Sequence, residues 1–231
     1  MKTRVYPSRM EGKVQAPPSK SYTQRALLAA LLARGQSELI HPGSSDDEMK
    51  MAGVIRHLGA EIGFRQDRWI IDGGMGTSRA TRELYTGESG LGTRLVTPVA
   101  AMLEQTTTIS GSGSLNNRPM KAFEDIIRQA GGTCTTNNGL LPLVVKGPLR
   151  GGTMRLDGST GSQFLSGLLF ALPLARNDSK IVATNLKSTP YIDMTLEVLK
   201  HFGIEIHHHR YETFEIPGRQ TYRPACVTIE G

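Results

Sequence analysis

The residues with the most chemical content near the start of the chain are Ser19, Lys20, Ser21 and Arg25, inside the stretch Ala16-Pro17-Pro18-Ser19-Lys20-Ser21-Tyr22-Thr23-Gln24-Arg25. The two prolines stop whatever precedes them, and an apolar run, Ala26 to Ala33, follows at once. Ser19 and Ser21 are N-cap candidates, so a helix is expected to begin near Ser21. Lys20 then sits at its positive end, and Arg25, one turn in, brings a second cation towards the same space. Unpaired backbone N–H groups, the helix dipole and two basic side chains together describe an anion site. The plainer alternative is a capped helix with a solvated Lys and Arg.

Two later stretches have the same character. Gly87-Glu88-Ser89-Gly90-Leu91-Gly92-Thr93-Arg94 and Asp157-Gly158-Ser159-Thr160-Gly161-Ser162-Gln163 are both rich in Gly and Ser where a strand hands over to an apolar helix. Both would present backbone N–H groups at a helix N-terminus. Two further loops, Asn116-Asn117-Arg118-Pro119 and Lys187-Ser188-Thr189-Pro190-Tyr191, place Pro near a first helical turn. If these helix starts share one face, Lys20, Arg25, Arg94 and Arg118 meet in a pocket with the hydroxyls of Ser21, Ser162, Ser188 and Tyr191. A helix end alone contributes about 0.3–1 kcal/mol towards holding an anion, and each charge-assisted hydrogen bond about 1.5–3 kcal/mol. A phosphate or carboxylate would need several of them together. No G-x-x-x-x-G-K-[ST] nucleotide loop occurs. His207-His208-His209 is not a convincing metal site: alternation along a strand puts only His207 and His209 on one side, and no third ligand stands nearby.

The elements that must position these residues repeat. Val54 to Ile62, Ile126 to Cys134 and Val198 to Ile206 align, with their glycines, Gly59, Gly131 and Gly203, 72 residues apart both times. In each copy an amphipathic helix ends in a basic turn and Gly takes the left-handed position after it. Upstream lie an apolar helix (Ser21 to Arg34; Ser89 to Leu103; Ser162 to Leu174) and a short strand (Glu38 to His41; Thr106 to Ser110; Lys180 to Thr184). Downstream lie two strands: Glu61 to Arg65 with Arg68 to Asp72, Thr133 to Thr136 with Leu143 to Lys146, and Glu205 to His209 with Thr213 to Ile216. The expected fold class is α+β (α/β): three β-α-β-α-β-β units, apolar helices inside and sheets around them. Residues 16–219 hold the three units. Residues 1–15 read as a strand region, and residues 220–231 as an extra strand that returns towards a further domain.

Composition narrows the partners. The 231 residues carry 27 Lys and Arg against 21 Asp and Glu, a formal net charge of +6, with no run of five like charges and 6% aromatics. A scattered basic excess without interleaved aromatics argues against nucleic acid and for a small acidic ligand. Cys134 and Cys226 stand far apart, with no secretory leader in front, which points to a reduced, cytoplasmic compartment. The longest apolar stretch, Leu165 to Ala175, is broken by Gly167 and Pro173 and is too short to span a membrane.

Taken together, Pro18-Ser19-Lys20-Ser21 with Arg25-Ala26-Leu27-Leu28, Ser45-Asp46-Asp47, Asn117-Arg118-Pro119-Met120, Asp157-Gly158-Ser159 with Ser162-Gln163-Phe164-Leu165, and Ser188-Thr189-Pro190-Tyr191-Ile192-Asp193 resemble the 5-enolpyruvylshikimate-3-phosphate synthase family. They occur in the family's order over essentially the whole chain. The resemblance implies one domain of a two-domain enolpyruvyl transferase fold, the N-terminal half only. It implies transfer of the enolpyruvyl group of phosphoenolpyruvate to the 5-hydroxyl of shikimate 3-phosphate, with release of phosphate, in the shikimate pathway of aromatic amino acid biosynthesis. No metal or organic cofactor is implied. By position, Lys20, Ser21, Arg25, Ser162, Gln163, Ser188 and Tyr191 would bind shikimate 3-phosphate. Lys20, Gly90, Arg94, Arg118 and Gln163 would face phosphoenolpyruvate, Lys20 touching both substrates. Gly90 matches the glycine beside which the inhibitor glyphosate binds.

The chain departs from the family pattern at two places. The loop Gly87 to Arg94 stands where members more often have Asn-Ala-Gly-Thr-Ala-x-Arg, so that Glu88 adds an acid near an anion site, and Gly161 replaces the first of two serines. The resemblance also places the proton-transferring Asp and Glu in the other half, so this chain is expected to bind shikimate 3-phosphate without turning over alone. The related transferase acting on UDP-N-acetylglucosamine has a loop cysteine around Leu115 to Arg118, where this chain has none. A stand-alone binding module for an acidic metabolite is the reading from a different class.

Overall fold

The computed structural model describes residues 3, 4, 6–9, 11–76 and 82–231. Met1, Lys2, Val5 and Met10 of the expected 1–15 strand region therefore lie outside the described residues, and the rest of that segment carries no regular element.

The first unit runs α1 (Lys20–Leu32), β1 (Gly35–Ile40), α2 (Asp46–His57), β2 (Glu61–Phe64) and β3 (Arg68–Gly73). The second runs β4 (Arg82–Tyr85), α3 (Gly90–Ala100), β5 (Thr107–Ser110), α4 (Ala122–Gln129), β6 (Thr133–Asn137) and β7 (Leu140–Lys146). The third runs β8 (Gly152–Asp157), α5 (Gln163–Ala171), β9 (Ser179–Thr184), α6 (Thr189–His201), β10 (His207–His209) and β11 (Thr213–Ile216). A last strand, β12 (Cys226–Thr228), follows. The expected ends shift by a few residues for physical reasons. Pro173 cannot donate to a helical ladder, so α5 tightens into a 3-10 turn at Leu172–Leu174 instead of running on.

Each unit makes one four-stranded sheet, in the orders β12-β1-β3-β2, β4-β5-β7-β6 and β8-β9-β11-β10. In every sheet the first pair is parallel and the others antiparallel. The sheets are equivalent only because β12 fills the place in the first that β4 and β8 fill in the others, with Leu39 opposite Val227. The strand expected within residues 220–231 thus completes the first sheet before the chain goes on to Gly231.

The three apolar helices sit inside. All eleven residues of α3 are buried, as are eight of nine in α5 and ten of thirteen in α1. Buried helices must have their last carbonyls satisfied, and the chain leaving each sheet does this. Gly74 N–H donates to Leu31 O (2.8 Å), Gly147 N–H to Leu103 O (2.9 Å) and Arg219 N–H to Ala175 O (2.8 Å). The approach needs glycine: a Cβ on Gly73 would fall 1.9 Å from Ala30 O, on Gly147 1.8 Å from Ala101 O, and on Gly218 2.5 Å from Asn177 O.

The outer helices link the units. Helix α2 packs on β4 and α4 on β8. Helix α6 faces β12 across a cleft of about 730 Å³, spanned by the Tyr22 hydroxyl, which donates to Glu197 Oε1 at 3.4 Å. Gly59, Gly131 and Gly203, with φ of 120°, 92° and 78°, end α2, α4 and α6. No helix among the described residues is long and apolar enough to cross a membrane.

Candidate substrate-binding site

The N-terminal ends of α1, α3 and α5 converge on a cavity of about 300 Å³. Its wall includes Ser21 and Arg25 from α1, Leu91 and Arg94 from α3, and Gln163 from α5. Loops add Arg118, Thr160, Gly161, Ser162 and Ser188, and α6 adds Tyr191. Ser19 caps α1 by accepting from Tyr22 N–H (3.3 Å), and Ser89 caps α3 by accepting from Gly92 N–H (3.0 Å). The cap residues therefore serve the helices and leave the following side chains to the cavity.

Arg25 is fully buried. Its Nε donates to Thr195 Oγ1 (2.8 Å), Nη1 to Ser21 O (2.9 Å) and Nη2 to Tyr191 O (3.3 Å). All three acceptors are neutral, and burial pulls its pKa down to about 10, so the group stays charged at neutral pH. Arg94, 9% exposed, donates from Nη1 to Gln163 Oε1 (2.8 Å) and from Nη2 to Pro119 O (3.2 Å), with its guanidinium 5.0 Å above the Phe164 ring. Burial, then the neighbouring Arg118, lowers its pKa too. Its Nε has no partner. Among the described residues no carboxylate pairs with Arg25, Arg94 or Arg118. Two desolvated, uncompensated cations on one cavity wall are unfavourable until an anion arrives.

Of the ten residues proposed from sequence, Ser21, Arg25, Arg94 and Arg118 are brought together with Ser162, Gln163, Ser188 and Tyr191. Two are placed otherwise. Lys20 Nζ pairs with Asp47 Oδ2 at 2.8 Å and is not in the wall. Gly90 is not in the wall but lies beside two of its arginines: an added Cβ would stand 2.6 Å from Arg118 Nη1 and 3.2 Å from Arg94 Nη1. Glu88 is not in the wall either; its Oε2 accepts from Ser114 N–H at 3.2 Å, so its charge is turned to the neighbouring turn. None of the eleven lining residues is an Asp or Glu. Sequence reasoning missed Thr195, which holds Arg25 Nε; its spacing of four from Tyr191 on one helical face was the available signal. Leu91, inside the helix expected from Ser89 to Leu103, and Thr160 also line the cavity and were not among the proposed residues.

Ser188 is held in the left-handed region, φ 60° and ψ 46°, at the start of α6. An L-residue bears about 1–2 kcal/mol there, a cost that tends to persist where a site needs the side chain.

This arrangement defines a class: an α/β domain of three repeated units whose buried helices turn their N-termini to one cavity lined by arginines and hydroxyls. The sequence of residues 5–231 matches the family of EPSP synthase (3-phosphoshikimate 1-carboxyvinyltransferase). A protein named 3-phosphoshikimate 1-carboxyvinyltransferase from Acetivibrio thermocellus is 38% identical over 234 residues, covering 100% of this chain and 55% of that one. One of the same name from Methanococcus maripaludis is 37% identical, covering 96% of this chain and 53% of the other. EPSP synthase from Acinetobacter baumannii, solved at 2.37 Å, superposes with a TM-score of 0.82 at 21% identity, over 94% of this chain and 49% of that one. The chain belongs to the EPSP synthase family, and it spans about half the length of the curated relatives it matches.

Proposed function

We propose that this chain forms the shikimate 3-phosphate side of a cytoplasmic 3-phosphoshikimate 1-carboxyvinyltransferase, acting with a further domain and without a metal or organic cofactor. The observation that carries the reading is the pair of buried, unpaired guanidiniums, Arg25 and Arg94, on one 300 Å³ cavity. In this reading Arg25, Ser21, Ser162, Ser188 and Tyr191 hold the phosphate and ring hydroxyls of shikimate 3-phosphate, and Gln163 lies under the ring. Arg94 and Arg118 neutralise phosphoenolpyruvate beside Gly90. Lys20 joins both substrates once its bond to Asp47 is exchanged for theirs. The 5-hydroxyl adds to the enolpyruvyl carbon and phosphate leaves; the proton transfers need carboxylates that this cavity wall does not contain. Residues 1–15 and 220–231 then lead to and from the further domain. The two paths adjoin, since Ser19 N–H donates to Glu230 O at 2.9 Å.

Calorimetric titration tests this directly. Shikimate 3-phosphate gives saturable heat and UDP-N-acetylglucosamine gives none, while the chain alone releases no phosphate from the two substrates. Absence of heat with shikimate 3-phosphate refutes the assignment. Ser188→Gly sharpens it: relief of the left-handed strain raises unfolding free energy by about 0.5–1 kcal/mol, while loss of one hydrogen bond to a charged ligand weakens binding roughly tenfold or more. A denaturant curve and a titration on the same variant check both signs.

A further inference from the structure

Resting on that reading, we infer that Asp157, which touches no part of the cavity, is a positioning residue that locks together the two loops presenting Ser162 and Ser188. Strands β8 and β9 are parallel, and Asp157 and Thr184 are their last paired residues. Beyond this point the two chains part to enter α5 and α6, so both loops begin where the ladder stops supplying hydrogen bonds. The Asp157 carboxylate takes over that role. Its Oδ1 accepts from Ser159 N–H (3.0 Å) and from Asn185 Nδ2 (3.3 Å), and its Oδ2 accepts from Ser159 Oγ (3.0 Å). One oxygen thus serves both loops. Backbone packing closes the same joint independently: a Cβ on Gly158 would fall 2.7 Å from Leu186 Cα. Asn185 has φ 53°, the turn that starts its loop towards Ser188.

The other units repeat the device with different chemistry. In the second, the Glu88 carboxylate joins the loop before α3 to Ser114 N–H in the turn before α4. In the first, Lys20 on α1 pairs with Asp47 on α2. Each joint lies between the start of a buried helix and the start of its outer helix. A carboxylate is suited to this because it accepts several N–H and O–H groups at once and bonds to an ionised acceptor are the stronger ones. The bonds from Ser159 N–H, the Asn185 amide and the Ser159 hydroxyl hold its pKa below that of a free aspartate, so the carboxylate stays ionised at neutral pH and the lock persists.

The inference predicts coupling between the loops. In the free chain, Asp157→Ala accelerates amide hydrogen exchange in both 159–163 and 186–191 while leaving β8 and β9 protected. Acceleration confined to 159–163, or none, overturns the inference whether or not any ligand binds. In titrations, Asp157→Ala weakens shikimate 3-phosphate about tenfold or more and weakens shikimate, which lacks the phosphate, far less; Asp157→Asn recovers part of the loss. A merely structural role would weaken both ligands alike or shift only the melting temperature. Asn185→Gly, which keeps the backbone turn, weakens binding in the wild-type background and adds nothing to Asp157→Ala; additive effects also overturn the inference. Failure of the wild-type chain to bind shikimate 3-phosphate would refute the proposed function, and the exchange result would still decide the lock.

Discussion

Arg25→Ala abolishes measurable binding of shikimate 3-phosphate, with an expected loss of at least about 100-fold. The magnitude follows from position. The guanidinium is fully buried, bonded only to neutral oxygens and charged at neutral pH, so its field is little screened by water. Removing one member of a buried, hydrogen-bonded charge pair costs about 2–5 kcal/mol or more. Arg25→Lys keeps the charge and loses the planar fork that reaches Thr195, Ser21 and Tyr191 together, so it recovers only part of the affinity. Calorimetry on the two variants measures this. An Ala variant that binds as tightly as wild type would remove Arg25 from the site and, with it, the main physical reason for assigning the cavity to a phosphate.

The second large effect is on stability. Gly147→Ala lowers the unfolding free energy by about 3 kcal/mol or more, because its methyl would stand 1.8 Å from Ala101 O, which is backbone at the end of a buried helix and has nowhere to move. Gly73→Ala behaves alike, with Ala30 O and Ala33 O at 1.9 and 2.2 Å. Gly53 provides a control of opposite sign. It lies within α2, and an added methyl meets nothing within 4 Å. Gly53→Ala therefore raises stability by about 0.5–1 kcal/mol. Urea unfolding midpoints of the three variants would show one rise and two falls; equal small changes at all three positions would mean that the glycines do not mediate the helix-end contact.

These glycines show where sequence reasoning ended. The 72-residue spacing of Gly59, Gly131 and Gly203 is visible because each sits at a local signal, a helix end after a basic turn. Gly73, Gly147 and Gly218 stand at the corresponding place in each unit, though 74 and 71 residues apart, and their meaning lies in carbonyls at or just beyond the end of a buried helix packed from elsewhere in the unit. The site divides in the same way. Glu88, an acid in an anion-binding loop, reads as an electrostatic conflict until Ser114 N–H is seen to take its charge. Lys20 reads as a free cation until Asp47, 27 positions on, is seen to pair with it.

Gln163 was supplied only by the family resemblance; by itself the sequence determined the three units, the buried first helices, the Ser19 and Ser89 caps and seven side chains that meet at the cavity. All of these follow from hydrophobic periodicity, capping and repeat spacing, which act within a few turns of chain. The tertiary structure alone decided that β12 completes the first sheet, that Thr195 holds Arg25, and that Lys20, Glu88 and Asp157 spend their charges joining loops. Those outcomes depend on which groups are left without water or a partner once separate units pack, and no local pattern of residues records that.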